Sequence, residues 1–171
     1  MTRILFAVLI AAGLASAEVV VASDPGFTLK TSAIVAATPD KVYASLIDVA
    51  KWWDPAHTYS GSSQNMSINP TGGGCFCEKL PDGGVQHMTV VFASKGKMLR
   101  MTGGLGPLQA SAVVGVLTFE MAKVDTGTRL TMTYTAAGVL ASGSLGDMAP
   151  LVDGVLGVQF GRLKAFAEKA E

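Results

Sequence analysis

Residues 146–170 read GDMAPLVDGVLGVQFGRLKAFAEKA, and their spacing predicts one long helix around which the chain is organised. Val152, Val155, Leu156, Phe160, Leu163 and Phe166 recur at intervals that gather apolar side chains on one helical face. Arg162, Lys164 and Lys169 lie toward the C-terminal end, where cations complement the helix dipole. Asp147 is one candidate N-cap, which puts Pro150 in the first turn. Ser144, with Asp147 three residues on, is the other. Gly154, Gly157 and Gly161 are unfavourable inside a helix, by about 1 kcal/mol each against alanine. The expectation is that close approach of a sheet, or room for a bound molecule, offsets them.

Working back from this helix, the pattern changes to period two. Thr128–Val139 alternates most clearly, with Leu130, Met132 and Tyr134 on one face and Arg129, Thr131, Thr133 and Thr135 on the other. Ala112–Lys123, Lys97–Gly103, Val85–Ser94 and Gly74–Leu80 read as further strands, separated by turn signals such as Pro81-Asp82-Gly83-Gly84. Nearer the N-terminus, Phe27–Ala36 reads as a strand. Thr38-Pro39-Asp40 then starts a helix through its cap, its proline and its first-turn acid, with an end expected near Lys51-Trp52-Trp53. Strand, short helix, several strands and one long helix make an α+β fold, in which a curved antiparallel sheet must cover the C-terminal helix. A pocket between sheet and helix is the natural consequence.

The first 17 residues stand apart. Thr2-Arg3 is a positive segment, Ile4–Leu14 is apolar and Ala15-Ser16-Ala17 offers small residues for cleavage, which together predict a signal peptide removed before Glu18. Export to the periplasm or the medium, with no stable membrane anchor, is the corresponding expectation. Residues 18–26 read as a leader with a turn at Asp24-Pro25-Gly26, and 27–169 as a single domain. Without Arg3 the chain carries 12 basic and 13 acidic residues, and neither a basic stripe nor a polybasic patch points to nucleic acid or acidic lipid.

The Thr38-Pro39-Asp40-Lys41-Val42-Tyr43 helix start, the Trp52-Trp53 pair, the Gly72-Gly73-Gly74 strand start and the terminal helix resemble the START-like or Bet v 1-like (SRPBCC) superfamily. Within it the chain is similar to bacterial polyketide cyclase/dehydrase-like and Hsp90-ATPase-activator-like proteins. The resemblance covers roughly Phe27 to Ala167 and implies a helix-grip fold that holds a small hydrophobic molecule between sheet and long helix. It transfers no catalytic residue.

On this reading the cavity-lining candidates are Trp53, Met88, Val90, Leu99, Met101, Phe119, Met132, Tyr134, Leu156 and Phe160. Periodicity cannot separate core from cavity wall among them. A cyclase- or hydrolase-type enzyme using His57, Tyr59 or Tyr134 as acid or base is the alternative. A third possibility lies in Cys75-Phe76-Cys77. In a strand both thiols face one way, with Cα atoms about 6.6 Å apart. Buried structural cysteines come first among three open readings, ahead of a local disulfide and of a metal or redox site that His87 joins across the hairpin, where a fourth ligand is still needed and His57 is the remaining candidate. Glu78 falls on the opposite face. The glycines at 72–74 and 103–106 lack the lysine and helix of a phosphate loop, and no cofactor is implied.

Overall fold

The protein is described by a computed structural model covering residues 18–169. The signal-peptide expectation for 1–17 lies outside the described residues. Strand β1 spans Glu18–Ser23, β2 Gly26–Val35, helix α1 Pro39–Ile47, β3 Met66–Ile68 and β4 Cys75–Leu80. They are followed by β5 Gly83–Ser94, β6 Met98–Thr102, β7 Ala112–Val124, β8 Gly127–Val139 and helix α2 Leu145–Lys169. All eight strands form one antiparallel sheet in the order β1-β2-β8-β7-β6-β5-β4-β3. Helix α2 lies across it, packing chiefly on β1, β2, β8 and α1. This is the helix-grip architecture, with one apolar core between sheet and helices. Among the described residues, no helix is long and apolar enough to cross a membrane.

Local chemistry sets the boundaries. Thr38 caps α1 by accepting a hydrogen bond from the Lys41 N–H, and Pro39 occupies the first turn. The helix stops at Ile47, earlier than expected, and the chain tightens into a 3-10 turn at Val49–Lys51. The reason is Trp52: its indole N–H donates to the carbonyls of Ser45 and Leu46 at 2.9 and 3.3 Å, occupying acceptors that a longer helix would use internally. At α2, Ser144 is the cap, accepting from the Asp147 N–H at 3.2 Å. Pro150 is therefore beyond the first turn and interrupts the hydrogen-bond ladder.

The segment expected to be a leader is an edge strand. Glu18–Ser23 pairs with β2 along its backbone, all six residues being exposed, so no alternation announced it. The turn at Asp24–Pro25 connects the two. Of the two explanations expected for the α2 glycines, close approach of the sheet does not hold at two of them. A Cβ on Gly154 or Gly161 would meet nothing within 4 Å, so neither the sheet nor a tight contact demands glycine there.

Candidate functional site

A cavity of about 430 Å³ opens beside the middle of α2. Val152, Val155 and Leu156 of α2 form one wall, and Trp53 with His57, Thr58 and Tyr59 another. Leu105, Gly106 and Pro107 contribute a rim, and His87 reaches in from β5.

The 53–59 segment is pinned to the helix. Gln159, buried on α2, accepts from the Asp54 N–H at 2.8 Å and donates to His57 Nδ1 at 3.0 Å. One turn further along, Arg162 Nε donates to the Trp52 carbonyl at 2.7 Å. The Trp53 indole closes the loop on itself by donating to the His57 carbonyl at 2.9 Å. At the mouth, the Tyr59 hydroxyl donates to the Gly106 carbonyl at 3.1 Å. Gly106 has φ of 53°, a left-handed conformation that glycine adopts without strain.

The inner wall holds a feature absent from the sequence reading. His87 Nε2 lies 3.0 Å from Glu78 Oε2, and both residues are buried, at 6% and 1% exposure. A β-bulge puts them together. Cys77 pairs with Gln86 and Phe76 with Met88, so His87 is an extra residue on β5. His87 and Met88 consequently both face inward, whereas strict alternation would have turned His87 toward the cysteines. The ring is flanked by Phe76 and Tyr59, with centroids at 5.1 and 5.9 Å. Trp53 meets Phe76 edge-on at 5.4 Å.

Charge states follow from the partners. Burial alone would raise the Glu78 carboxyl. Hydrogen bonds from Ser60, from the Tyr59 N–H and from His87 outweigh it and hold the group below the usual carboxylate range. Burial pushes His87 down, and the neighbouring Glu78 only partly counters this. At neutral pH the pair is therefore a carboxylate and a neutral imidazole. A carboxylate only accepts, so the imidazole proton sits on Nε2 and Nδ1 carries a lone pair.

The cysteines take the second of their three readings. Cys75 and Cys77 are joined in a disulfide, half-buried on the outer side of β4, with Cα atoms 5.3 Å apart. The separation is shorter than the roughly 6.6 Å of a regular strand, and falls within the range that a disulfide spans. His87 turns to Glu78 instead of the sulfurs, and no group of three metal-ligating side chains occurs among the described residues.

Of the lining candidates, Trp53 and Leu156 are in the cavity wall. Met88, Val90, Leu99, Met101, Phe119, Met132, Tyr134 and Phe160 instead pack in the core. The inward parity read from the sequence holds for them, but parity says nothing about depth. Tyr134 is fully buried, its hydroxyl lies over Gly115 where any Cβ would collide, and that oxygen has the Leu105 backbone near it but makes no well-formed hydrogen bond. Burial pushes it up to about 12, which removes it as an acid or base near neutrality. His57 and Tyr59 do line the cavity, but both are exposed, and each ring has a partner that fixes it. Arg100, on β6, donates through Nε to Thr118 Oγ1 of β7 at 3.1 Å. Glu78 could have been found from the sequence. It shares the inward parity of Phe76, and a carboxylate on that face must have a partner.

Comparisons with known proteins agree with this architecture. An uncharacterized protein of Rhizobium leguminosarum superposes with a TM-score of 0.63 at 14% identity, covering 92% of this chain and 100% of that one. A Mesorhizobium loti protein gives 0.57 at 17% identity, covering 84% and 98%. The di-domain aromatase/cyclase StfQ of the steffimycin biosynthetic pathway gives 0.58 at 16% identity, covering 85% of this chain and 52% of its own. At these identities the likeness is one of fold. No curated protein matches the chain. Residues 26–168 match the family described as polyketide cyclase / dehydrase and lipid transport, and that span holds every strand but the first edge strand and nearly all of α2. The chain belongs to the polyketide cyclase/dehydrase and lipid transport family of SRPBCC proteins.

Proposed function

We propose that this is an exported protein that holds a small, largely apolar molecule in the cavity beside α2. The observation that carries the reading is the cavity itself. Its volume of about 430 Å³ falls in the range of small-molecule sites, roughly 300–1,000 Å³. Its wall is mainly aliphatic and aromatic, and its loop is tied to α2 by Gln159 and Arg162. A container whose wall is fixed before binding loses little entropy on filling. The family description, which includes lipid transport, supports the same class of ligand. Trp53, Val152, Val155 and Leu156 supply the apolar contacts. Export is supported by the charge and hydropathy pattern of residues 1–17 and by the Cys75–Cys77 disulfide, which suits an oxidising compartment.

Native mass spectrometry of the protein isolated from its own cell envelope tests both parts. The expected result is a polypeptide starting at Glu18, with an added mass that is lost on denaturation. A Val155→Trp variant, which fills the cavity, should fold and carry no added mass. A chain that retains residues 1–17 would overturn export. A bare wild-type chain that also takes up no apolar probe would overturn the container.

A further inference from the structure

The cavity wall holds few polar atoms, and most are occupied. The Tyr59 hydroxyl donates to Gly106, Thr58 Oγ1 donates to Pro55 at 2.8 Å, and His57 Nδ1 accepts from Gln159. His57 is also exposed, so a ligand group meeting it replaces water at little gain. His87 is different. It is more than nine-tenths buried, what exposure remains is to the cavity it lines, and its one protein hydrogen bond among the described residues runs through Nε2. Nδ1 is thus an unpaired acceptor that keeps some accessible surface on a residue otherwise buried, held in one tautomer by the Glu78 carboxylate and in one orientation by the Phe76 and Tyr59 rings.

We propose that the Glu78–His87 pair is the polar recognition point of the cavity, where His87 Nδ1 accepts a hydrogen bond from the hydroxyl of an otherwise apolar alcohol or phenol. This rests on the reading of the cavity as a ligand site. Glu78 is a positioning residue: it touches no ligand and dictates which nitrogen carries the proton. A ligand of the same shape without a donor would leave Nδ1 buried and unpaired, which is how such a site discriminates. The bulge at His87 is the device that places it there, since without the extra residue the imidazole would project from the other face of the sheet.

Three probes that fit the volume separate the possibilities: 2-naphthol, naphthalene and 2-methoxynaphthalene. The last two lack a donor and bracket the first in size. Wild-type protein should bind 2-naphthol about tenfold more tightly than either, the factor that one well-made hydrogen bond supplies. His87→Phe should keep affinity for the two donor-free probes and lose the preference. Val155→Trp should abolish binding of all three. Because His87→Phe deprives Glu78 of a partner and could impair folding, nitrogen NMR of wild-type protein gives a readout that needs no variant. The His87 Nδ1 resonance should move on adding 2-naphthol, with Nε2 nearly still, and neither should move comparably with naphthalene. Equal binding of the three probes, or a preference that survives in His87→Phe, would overturn the proposal and leave the container intact. Failure of all three to bind would remove both.

Discussion

At the scale of single residues, one extra amino acid in β5 decides what His87 does. The sequence shows His87 opposite a pair of cysteines, and regular pairing would leave it there. The bulge hands it to Glu78. The pair has a pH signature whose sign is fixed. Both groups titrate lower in the folded protein than their ordinary values of 6.5 and 4.5, so the unfolded chain binds more protons as pH falls through each range. Stability from His87 is complete above 6.5 and is lost on acidification below it, and that from Glu78 is lost below 4.5. Melting temperature followed across this range should fall in two stages. His87→Gln should flatten the upper stage and Glu78→Gln the lower; an unchanged profile in either variant would contradict the assignment. Tyr134 offers the opposite case, a buried hydroxyl with the Leu105 backbone near it but no well-formed hydrogen bond. Tyr134→Phe should leave stability unchanged or raise it by up to about 1 kcal/mol, with no effect on probe binding. A substantial loss in a denaturation series would mean that the hydroxyl is satisfied after all.

At the scale of elements, what was legible follows from which elements have a dry side. Helix α1 and strands β2, β7 and β8 alternate or recur because one face of each meets the core, and their sequences show it. Strand β1 has no buried side chain and β3 has three residues, so neither leaves a periodic trace. The α2 glycines are open to two explanations, close approach of a sheet or room for a bound molecule, and at Gly154 and Gly161 the open space excludes the first. Each therefore weakens the helix with no close contact inside the domain in return. Gly154→Ala and Gly161→Ala should each stabilise the protein by about 1 kcal/mol in urea unfolding, and the two should add because the sites lie about two turns apart. A loss instead of a gain would show that a partner or ligand comes close to that face. The disulfide in β4 closes a loop too short to restrict the unfolded chain much, so its reduction should lower stability by less than the usual range of about 2–4 kcal/mol.

At the scale of the whole molecule, depth is what a linear pattern cannot encode. Helix α2 leans on the β1, β2 and β8 side of the sheet, and the cavity occupies the space between its middle and β5. Whether an inward residue becomes core or wall thus depends on where a distant element stands, and neighbours on one helix face divide between the two roles. Leu156 borders the cavity, while Phe160, one turn on, is sealed among core side chains. Truncation separates the roles. Phe160→Ala should remove about 3–5 kcal/mol, since a packed site cannot collapse onto the void. Val155→Ala, at the cavity wall, only widens an existing space and should lose about 1 kcal/mol or less, the area it withdraws from contact being small. The two variants should differ in the opposite sense toward ligand. Val155→Ala should change probe affinity in proportion to lost contact, whereas Phe160→Ala should weaken binding only under conditions where the domain itself begins to unfold. Urea titrations with and without a saturating apolar probe read both quantities at once. If Val155→Ala cost as much stability as Phe160→Ala, the cavity would be part of the core, and the molecule would have no interior room to hold a ligand.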